Sequence, residues 1–387
     1  MHVLIAPNAF KNSLTAGEAA DAIKRGLSHS RLSATSECCP VGDGGDGTGD
    51  LLIQYLQGRR IPAKVRDPRG RAIDSYFGLI EQSNTAIIEM ASASGLRLID
   101  PAERNPLHTS SAGTGDLIRA ALDLGAGCII LGMGGSATVD GGTGILQALG
   151  VRFTDVSGRP LEHLPVQLSG LASIDLSDLD PRLETTELIV LCDVTNPLTG
   201  PRGAAAVFGP QKGADPAAVR LLESGLKRFA EVVFHQTGKD LGMAPRAGAA
   251  GGAAAGLHGL LNATLVSGID YFLEITGFDA ALDRSTHVIT GEGGIDEQTL
   301  QGKAPFGVAV RAKAKGLPVT AMTGHLPADM TALKPYFDEL ILINRRRTPM
   351  AEALANTAAN LESAALEWGN RLALEWGIDV NGPAPKA

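Results

Sequence analysis

Cysteine is scarce in this 387-residue chain: Cys38, Cys39, Cys128 and Cys192 form no C-x-x-C pair and no framework spacing. A disulfide scaffold is thereby excluded, and a reducing, cytoplasmic setting is expected. The eight histidines never fall within four positions of one another, which removes a helical zinc pair. Aromatic residues make up only 4%, too few for base-stacking surfaces. Positive charge is in deficit, with 34 Lys and Arg against 42 Asp and Glu and a formal net charge of −8. Neither nucleic acid nor anionic lipid is a general partner for such a chain, so any anionic ligand needs a local site. Long apolar runs are missing as well. The stretch Ala247 to Leu257, free of charge and strong polarity, is nearly all Ala and Gly and is too short for a bilayer. The start, MHVLIAPNAF, has neither the charged region nor the apolar core of a secretion signal. Walker A and nucleophile-elbow patterns are also absent; Gly134-Gly135-Ser136-Ala137-Thr138 lacks the closing glycine of the latter.

What the chain has in excess is glycine, 48 residues without a Gly-X-Y period, together with an ordinary 44% hydrophobic and 20% charged content. Its length suggests two domains, or three, at roughly 100–200 residues each. Short apolar, β-branched runs at His2–Ala6, Ala86–Met90, Cys128–Leu131, Glu187–Leu191, His287–Thr290, Pro318–Met322 and Glu339–Ile343 mostly lead into turn residues and then helix signals, the α/β rhythm. Thr15 with Glu18 predicts a capping box for a helix to about Ser28. Asp215-Pro216 opens a helix that should end near Gly238, and Thr348-Pro349 opens a last long one. Leu354, Ala358, Leu361, Ala365, Trp368, Leu372 and Trp376 form one buried stripe on that last helix. The rhythm breaks at 61–79, where runs flanking Asp67-Pro68-Arg69-Gly70 predict a hairpin, and again in the glycine-rich region 241–261. These breaks predict a discontinuous arrangement: one α/β domain from residues 1–60 and 283–378, a second α/β domain inserted as 61–282, and a flexible tail at 379–387. The Arg345–Arg347 run reads as solvated surface.

Five loops combine glycine with charged or hydroxyl side chains. APNAFKNSL places Asn8, Lys11 and Ser13 after the first strand, at the edge of an open α/β sheet where ligands bind. VGDGGDGTGDLL carries a formal G-x-G-x-x-G at Gly42, Gly44 and Gly47. Its carboxylates Asp43 and Asp46 would repel a bare pyrophosphate, so a metal-bridged phosphate suits it better. GMGGSATVDGGTG, with Gly134, Gly135, Ser136 and Thr138, has the makings of an anion nest. The fourth loop, from Cys192 to Gly213, holds Asp193, Asn196 and Lys212. The fifth, from Ile289 to Pro305, holds Gly291, Glu292, Asp296, Thr299 and Lys303. Phosphoryl transfer needs metal-binding carboxylates, positive charge on the migrating group, donors for phosphate oxygens and a base for the acceptor hydroxyl, and these loops supply each part.

The segments APNAFKNSLTAGEAADAI, GDGGDGT, EMASASGL, ERNPL with GTGDLI, GMGGSATVDGG, CDVTNPLTGPRGAAAVFGPQKGA and VITGEGGIDEQTLQGKAPFGVA resemble, in order and over nearly the whole chain, the bacterial type 1 glycerate kinases. The resemblance implies a flavodoxin-like parallel-sheet domain from both chain ends, an inserted α/β domain, an active site in a cleft between them, and ATP- and Mg2+-dependent phosphorylation of D-glycerate to 2-phosphoglycerate. Under that reading Asp193 is general base or metal ligand, and Lys11, Lys212 and Lys303 stabilise charge. Asp43, Asp46, Glu292 and Asp296 organise magnesium, while Ser13, Gly134, Gly135, Ser136, Thr138 and Gly291 hold nucleotide or phosphate. Asn8, Arg71, Arg104 and Asn196 contact substrate, the arginines because a planar fork suits a carboxylate. The family pattern usually has Asp at Asn8, Ser at Ala9, Gly at Asn12, Asn at Val139 and a basic residue at Gly294. Two other readings stay open on sequence alone: an NAD-dependent hydroxy-acid oxidoreductase using the G-x-G loops, and a catalytically impaired glycerate-binding relative. A homodimer is also compatible.

Overall fold

Each of the seven apolar, β-branched runs forms a strand in the computed structural model, which describes residues 1–297, 299–344 and 348–375. In chain order the strands are β1 (His2–Pro7), β2 (Thr35–Cys38), β3 (Arg59–Arg66), β4 (Ala72–Ile80), β5 (Thr85–Glu89), β6 (Cys128–Gly132) and β7 (Arg152–Thr154). They continue with β8 (Ser173–Asp175), β9 (Glu187–Cys192), β10 (Thr264–Ser267), β11 (His287–Glu292), β12 (Val319–Thr323) and β13 (Glu339–Leu342). The chain divides into two units, Met1–Asp43 with Ile269 onward, and Gly44–Gly268.

The first unit has a five-stranded sheet in the order β13-β12-β11-β1-β2, every pairing parallel. Renumbered within the unit this is 2-1-3-4-5, the flavodoxin-type order, whose switch point lies between β1 and β11. The sheet buries Val3, Ile5, Ile289 and Met322 against Ile23 and Leu27 of the helix Ala16–His29 and Leu361 and Trp368 of the helix Thr357–Glu375. The expected capping box is present, with Thr15 Oγ1 accepting from the Glu18 amide and Glu18 from the Thr15 amide. Such a cap contributes about 1 kcal/mol. The last helical stretch is two helices, Met350–Ala355 and Thr357–Glu375, broken at Asn356. Its apolar stripe is buried at Leu361, Ala365 and Trp368, whose indole donates to Glu339 at 3.1 Å. Trp376, the Arg345–Arg347 run and the 379–387 tail lie outside the described residues.

The second unit has a six-stranded sheet, β10-β9-β6-β5-β4-β3, parallel from β10 to β5 and antiparallel at its hairpin edge. The expected hairpin is β3–β4, turning at Asp67-Pro68-Arg69-Gly70. A small antiparallel pair, β7–β8, stands apart. Ile88, Leu117, Ile129, Leu131, Phe153 and Phe229 belong to one core. As folded, the units divide at Asp43/Gly44 and Gly268/Ile269, where the sequence reading put the divisions at 60/61 and 282/283. The helix Thr48–Tyr55 packs on β4, β5 and β6 and so goes with the second unit, while the helix Gly268–Ile275, whose Ile269 meets Gly307, goes with the first. No helix among the described residues is long and apolar enough to cross a membrane.

Candidate active site

In the first unit the register Pro7↔Gly291 brings the carboxyl ends of β1 and β11 together at the switch point, and the Asn8 amide donates to the Gly291 carbonyl at 2.8 Å. Three loops meet there. Asn8 Nδ2 donates to Asp43 Oδ2 at 3.0 Å, and the same oxygen accepts from the Ala304 amide at 3.3 Å. Ala304 begins an 11-residue helix with Pro305 in its first turn, so Asp43 lies against a positive helix end. An ionised Asp at position 8 could not make the Asn8 bond; this chain's Asn8 donates where the family pattern has a second carboxylate.

Glu292, the last residue of β11, is 7% exposed and its Oε1 accepts from Thr299 Oγ1 at 3.0 Å, with Lys303 Nζ at 3.8 Å. Burial pushes its carboxyl up to about 7; Lys303, Thr299 and Lys11 pull it down, and the Asp43 charge pushes it further up. Two buried carboxylates that repel one another beside lysines suit a divalent cation carried by phosphates. Magnesium takes one or two protein carboxylates and completes its shell with phosphate and water oxygens. Among the described residues no group of three or more His, Cys, Asp or Glu is arranged as an all-protein cage. Asp296 sits close in sequence, but its Oδ1 accepts from the Thr299 amide at 3.3 Å and caps the turn Thr299–Gln301. Lys11 is exposed. Ser13 Oγ donates to the Leu354 carbonyl at 2.6 Å, so its hydroxyl proton is used to anchor the helix Met350–Ala355.

The second unit carries its own cluster, around the loop that follows β6. Gly134 lies so close to Gly45 that a Cβ would come within 2.3 Å of its Cα, and the Gly134 amide donates to the Gly44 carbonyl at 2.9 Å. Lys212 is 4% exposed, and its ammonium donates to Ser136 Oγ and to the Thr138 carbonyl, both at 2.8 Å. Burial pushes Lys212 down to about 7, against the pull of Asp140 and Asp193. Thr138 Oγ1 is buried with no hydrogen-bond partner among the described residues. Lys212 is followed by Gly213 at φ +96°, where a Cβ would stand 2.2 Å from the Arg104 carbonyl; glycine is what allows the lysine turn to pack on the Arg104 turn. Asp193 follows β9, whose Leu191 pairs with Gly132, so it leaves the same sheet edge as the glycine loop.

Other predicted residues are held elsewhere. Asp46 pairs with Arg97 at 2.7 Å and belongs to the second unit, whereas Asp43, Glu292 and Asp296 belong to the first. Arg71 binds Asp67 at 2.6 Å, and Asp67 also accepts from the Arg69 and Arg71 amides, which ties the hairpin turn. Asn196 Nδ2 donates to the Arg202 carbonyl at 2.8 Å, closing its own loop.

Sequence reasoning passed over two groups. Asp140 is 1% exposed and accepts from the Ser111 amide (2.9 Å), Ser111 Oγ (2.7 Å), the Gly142 amide (3.0 Å) and the Gly144 amide (3.3 Å). It therefore fastens the glycine loop to the start of the helix Ala112–Asp123. In the sequence it opens a DGG triplet, Asp140-Gly141-Gly142, that also occurs at Asp43-Gly44-Gly45. Glu89, inside EMASASGL, accepts from the Gly49 amide at 2.7 Å, and burial lifts its carboxyl to about 7. Replacing Asp140 by Ala strands these buried donors, so we expect a loss of about 3 kcal/mol or more, read as a lowered urea midpoint.

The chain is similar to known proteins over nearly its whole length. A model of the glycerate kinase family matches residues 3–372. The glycerate kinase of Bacillus subtilis is 45% identical over 366 residues, 94% of this chain and 96% of that protein. The glycerate 2-kinase of Escherichia coli is 44% identical over 330 residues, 85% of this chain and 87% of that protein. A crystal structure assigned to a glycerate kinase 2 of Salmonella typhimurium superimposes with a TM-score of 0.81 at 40% identity, covering 97% of this chain and 99% of that one.

Proposed function

The chain belongs to the glycerate kinase family, and from that membership we propose that it phosphorylates D-glycerate with ATP to give 2-phosphoglycerate and ADP. The relatives named above are glycerate kinases, which disfavours the hydroxy-acid oxidoreductase reading. The 2-hydroxyl is taken as acceptor because the Escherichia coli relative is a glycerate 2-kinase. A cytoplasmic setting, where ATP is supplied, goes with this reading.

The observation that carries it is the Lys212 ammonium, buried and donating into a glycine loop through Ser136 and the Thr138 carbonyl. A phosphoryl group in flight spreads charge over its equatorial oxygens, and a fixed cation with neighbouring donors stabilises that charge more in the transition state than in the ground state. The glycerate hydroxyl attacks the γ-phosphorus, the bond to the bridging oxygen breaks, and ADP leaves. Asp193 takes the hydroxyl proton; its charge is felt at Lys212, which supports placing it by the reacting group. The amides of Gly134 and Gly135 and the hydroxyls of Ser136 and Thr138 serve phosphate oxygens. In the first unit, Asp43 with Glu292 would hold Mg2+, with Lys11 and Lys303 as the cations of that unit's loops. When bound, that ion would neutralise phosphate charge.

The test is ADP release over a panel of hydroxy acids, with phosphorus NMR of the product. A 2-phosphate formed from D-glycerate is expected; ADP release with none of the acids would overturn the reading. Asp193→Asn should lower kcat by about 10²-fold or more, and near-normal turnover removes Asp193 as base.

A further inference from the structure

In the second unit a cavity of about 390 Å³ is lined by Arg69, Glu103, Arg104, Asn105, His108 and Thr109, with Ala102 at its side. Its charged groups are in unlike states. Arg69 is paired with Glu103 at 2.9 Å, so that carboxylate is already neutralised. Asn105 Oδ1 accepts from the Leu107 amide, and Thr109 Oγ1 donates to the Ala137 carbonyl at 3.1 Å. Arg104 is different: among the described residues its buried Nε has no hydrogen-bond partner, and no carboxylate pairs with its guanidinium. A buried donor left unmade is costly, and here the lining of a cavity keeps one. Arg71, the other arginine suited to a carboxylate, is spent on Asp67, whose side chain is buried in the hairpin turn.

The cavity also borders the phosphate loop. Thr109 is bonded to the residue between Ser136 and Thr138, and the Arg104 carbonyl packs on Gly213, next to Lys212. We infer that the Arg104 guanidinium binds the carboxylate of a short hydroxy acid in this cavity, directing the hydroxyl end toward Lys212 and Ser136. This deepens the phosphotransfer reading and rests on it for the identity of the acid. The planar fork matches a carboxylate in a way that an ammonium does not. Arg104 is thus the residue that selects acids over neutral polyols.

The test measures Arg104→Gln, Arg104→Lys and Arg71→Gln by steady-state kinetics and by calorimetric titration with D-glycerate in the absence of ATP. In Arg104→Gln the KM for glycerate should rise about 30-fold or more, while the KM for ATP stays within about twofold. Arg104→Lys keeps the charge without the fork, so its KM should also rise, by a smaller factor. An unchanged glycerate KM in either Arg104 variant, or a larger effect in Arg71→Gln, overturns the assignment. The two readings fail separately. Glycerate binding to the wild type that Arg104→Gln abolishes, with no ADP formed, sustains the carboxylate site and sinks the kinase. ADP formation with Arg104→Gln kinetics equal to wild type does the reverse.

Discussion

Lys212→Met should lower kcat by about 10³-fold or more while leaving the chain folded, because a fixed cation on a transferring phosphoryl group is worth that much in comparable enzymes. Methionine fills similar volume without the charge, so the near-ultraviolet circular dichroism should match the wild type. The pH profile supplies a second readout. Burial holds Lys212 near 7, so the free enzyme loses the ammonium as pH rises, and this loss gives kcat/KM a descending limb set against the rise from Glu292 ionisation. Lys212→Arg keeps its charge across this range, so its profile should keep the rise from Glu292 and lose the descending limb, even if its rate is lower. A wild-type profile with no descending limb up to about pH 9, or a Met variant with ordinary turnover, would remove Lys212 from the chemistry.

Glu292→Gln should lower kcat/KM by about 10²–10³-fold and raise the magnesium concentration needed for half-maximal rate. The amide can still accept from Thr299 but carries no charge to offer a cation. The same substitution should stabilise the first unit. The native carboxyl sits near 7 against an ordinary value of 4.5, so the folded state holds its proton more tightly than the unfolded state. Wild-type stability from this group is fully present below about pH 4.5 and is lost as pH rises to about 7. Gln suffers no such loss. The melting temperature of Glu292→Gln should therefore exceed the wild type by a margin that widens between those values and is constant above. A variant that melts lower at pH 8 and turns over normally would contradict both halves of this account.

These two residues also show how far sequence reasoning reached. Both were legible as charges in glycine-bearing loops after strands, because the βα rhythm puts such loops at one sheet edge. Their burial was not legible. Nothing near Lys212 in sequence reveals that Ser136 and Thr138, more than seventy positions earlier, accept its bonds. Ser13 misled for the same reason: a serine in a βα turn looks available until the Leu354 carbonyl takes its proton. Arg71 and Arg104 were indistinguishable as isolated arginines, and only Asp67 separates them. In the fold, the central strands were found because they are buried runs of Ile, Leu and Val. The edge strands β2 (TSEC) and β10 (TLVS) were missed because one-sided pairing lets them be short and polar. The break at Asn356 was missed because the apolar stripe continues across it in step.

The sheet order of the first unit has a consequence for synthesis. Val3 pairs with His287, so β1 leaves the ribosome roughly 280 residues before the strand that flanks it on one side. At about 5–20 residues per second, that interval is on the order of 15–60 s. Meanwhile the intervening unit has every strand of its own sheet in hand and can close by itself. The nascent segment carrying Val3, Leu4 and Ile5, with only β2 beside it, spends that interval without one of the two strands that flank it in the finished sheet.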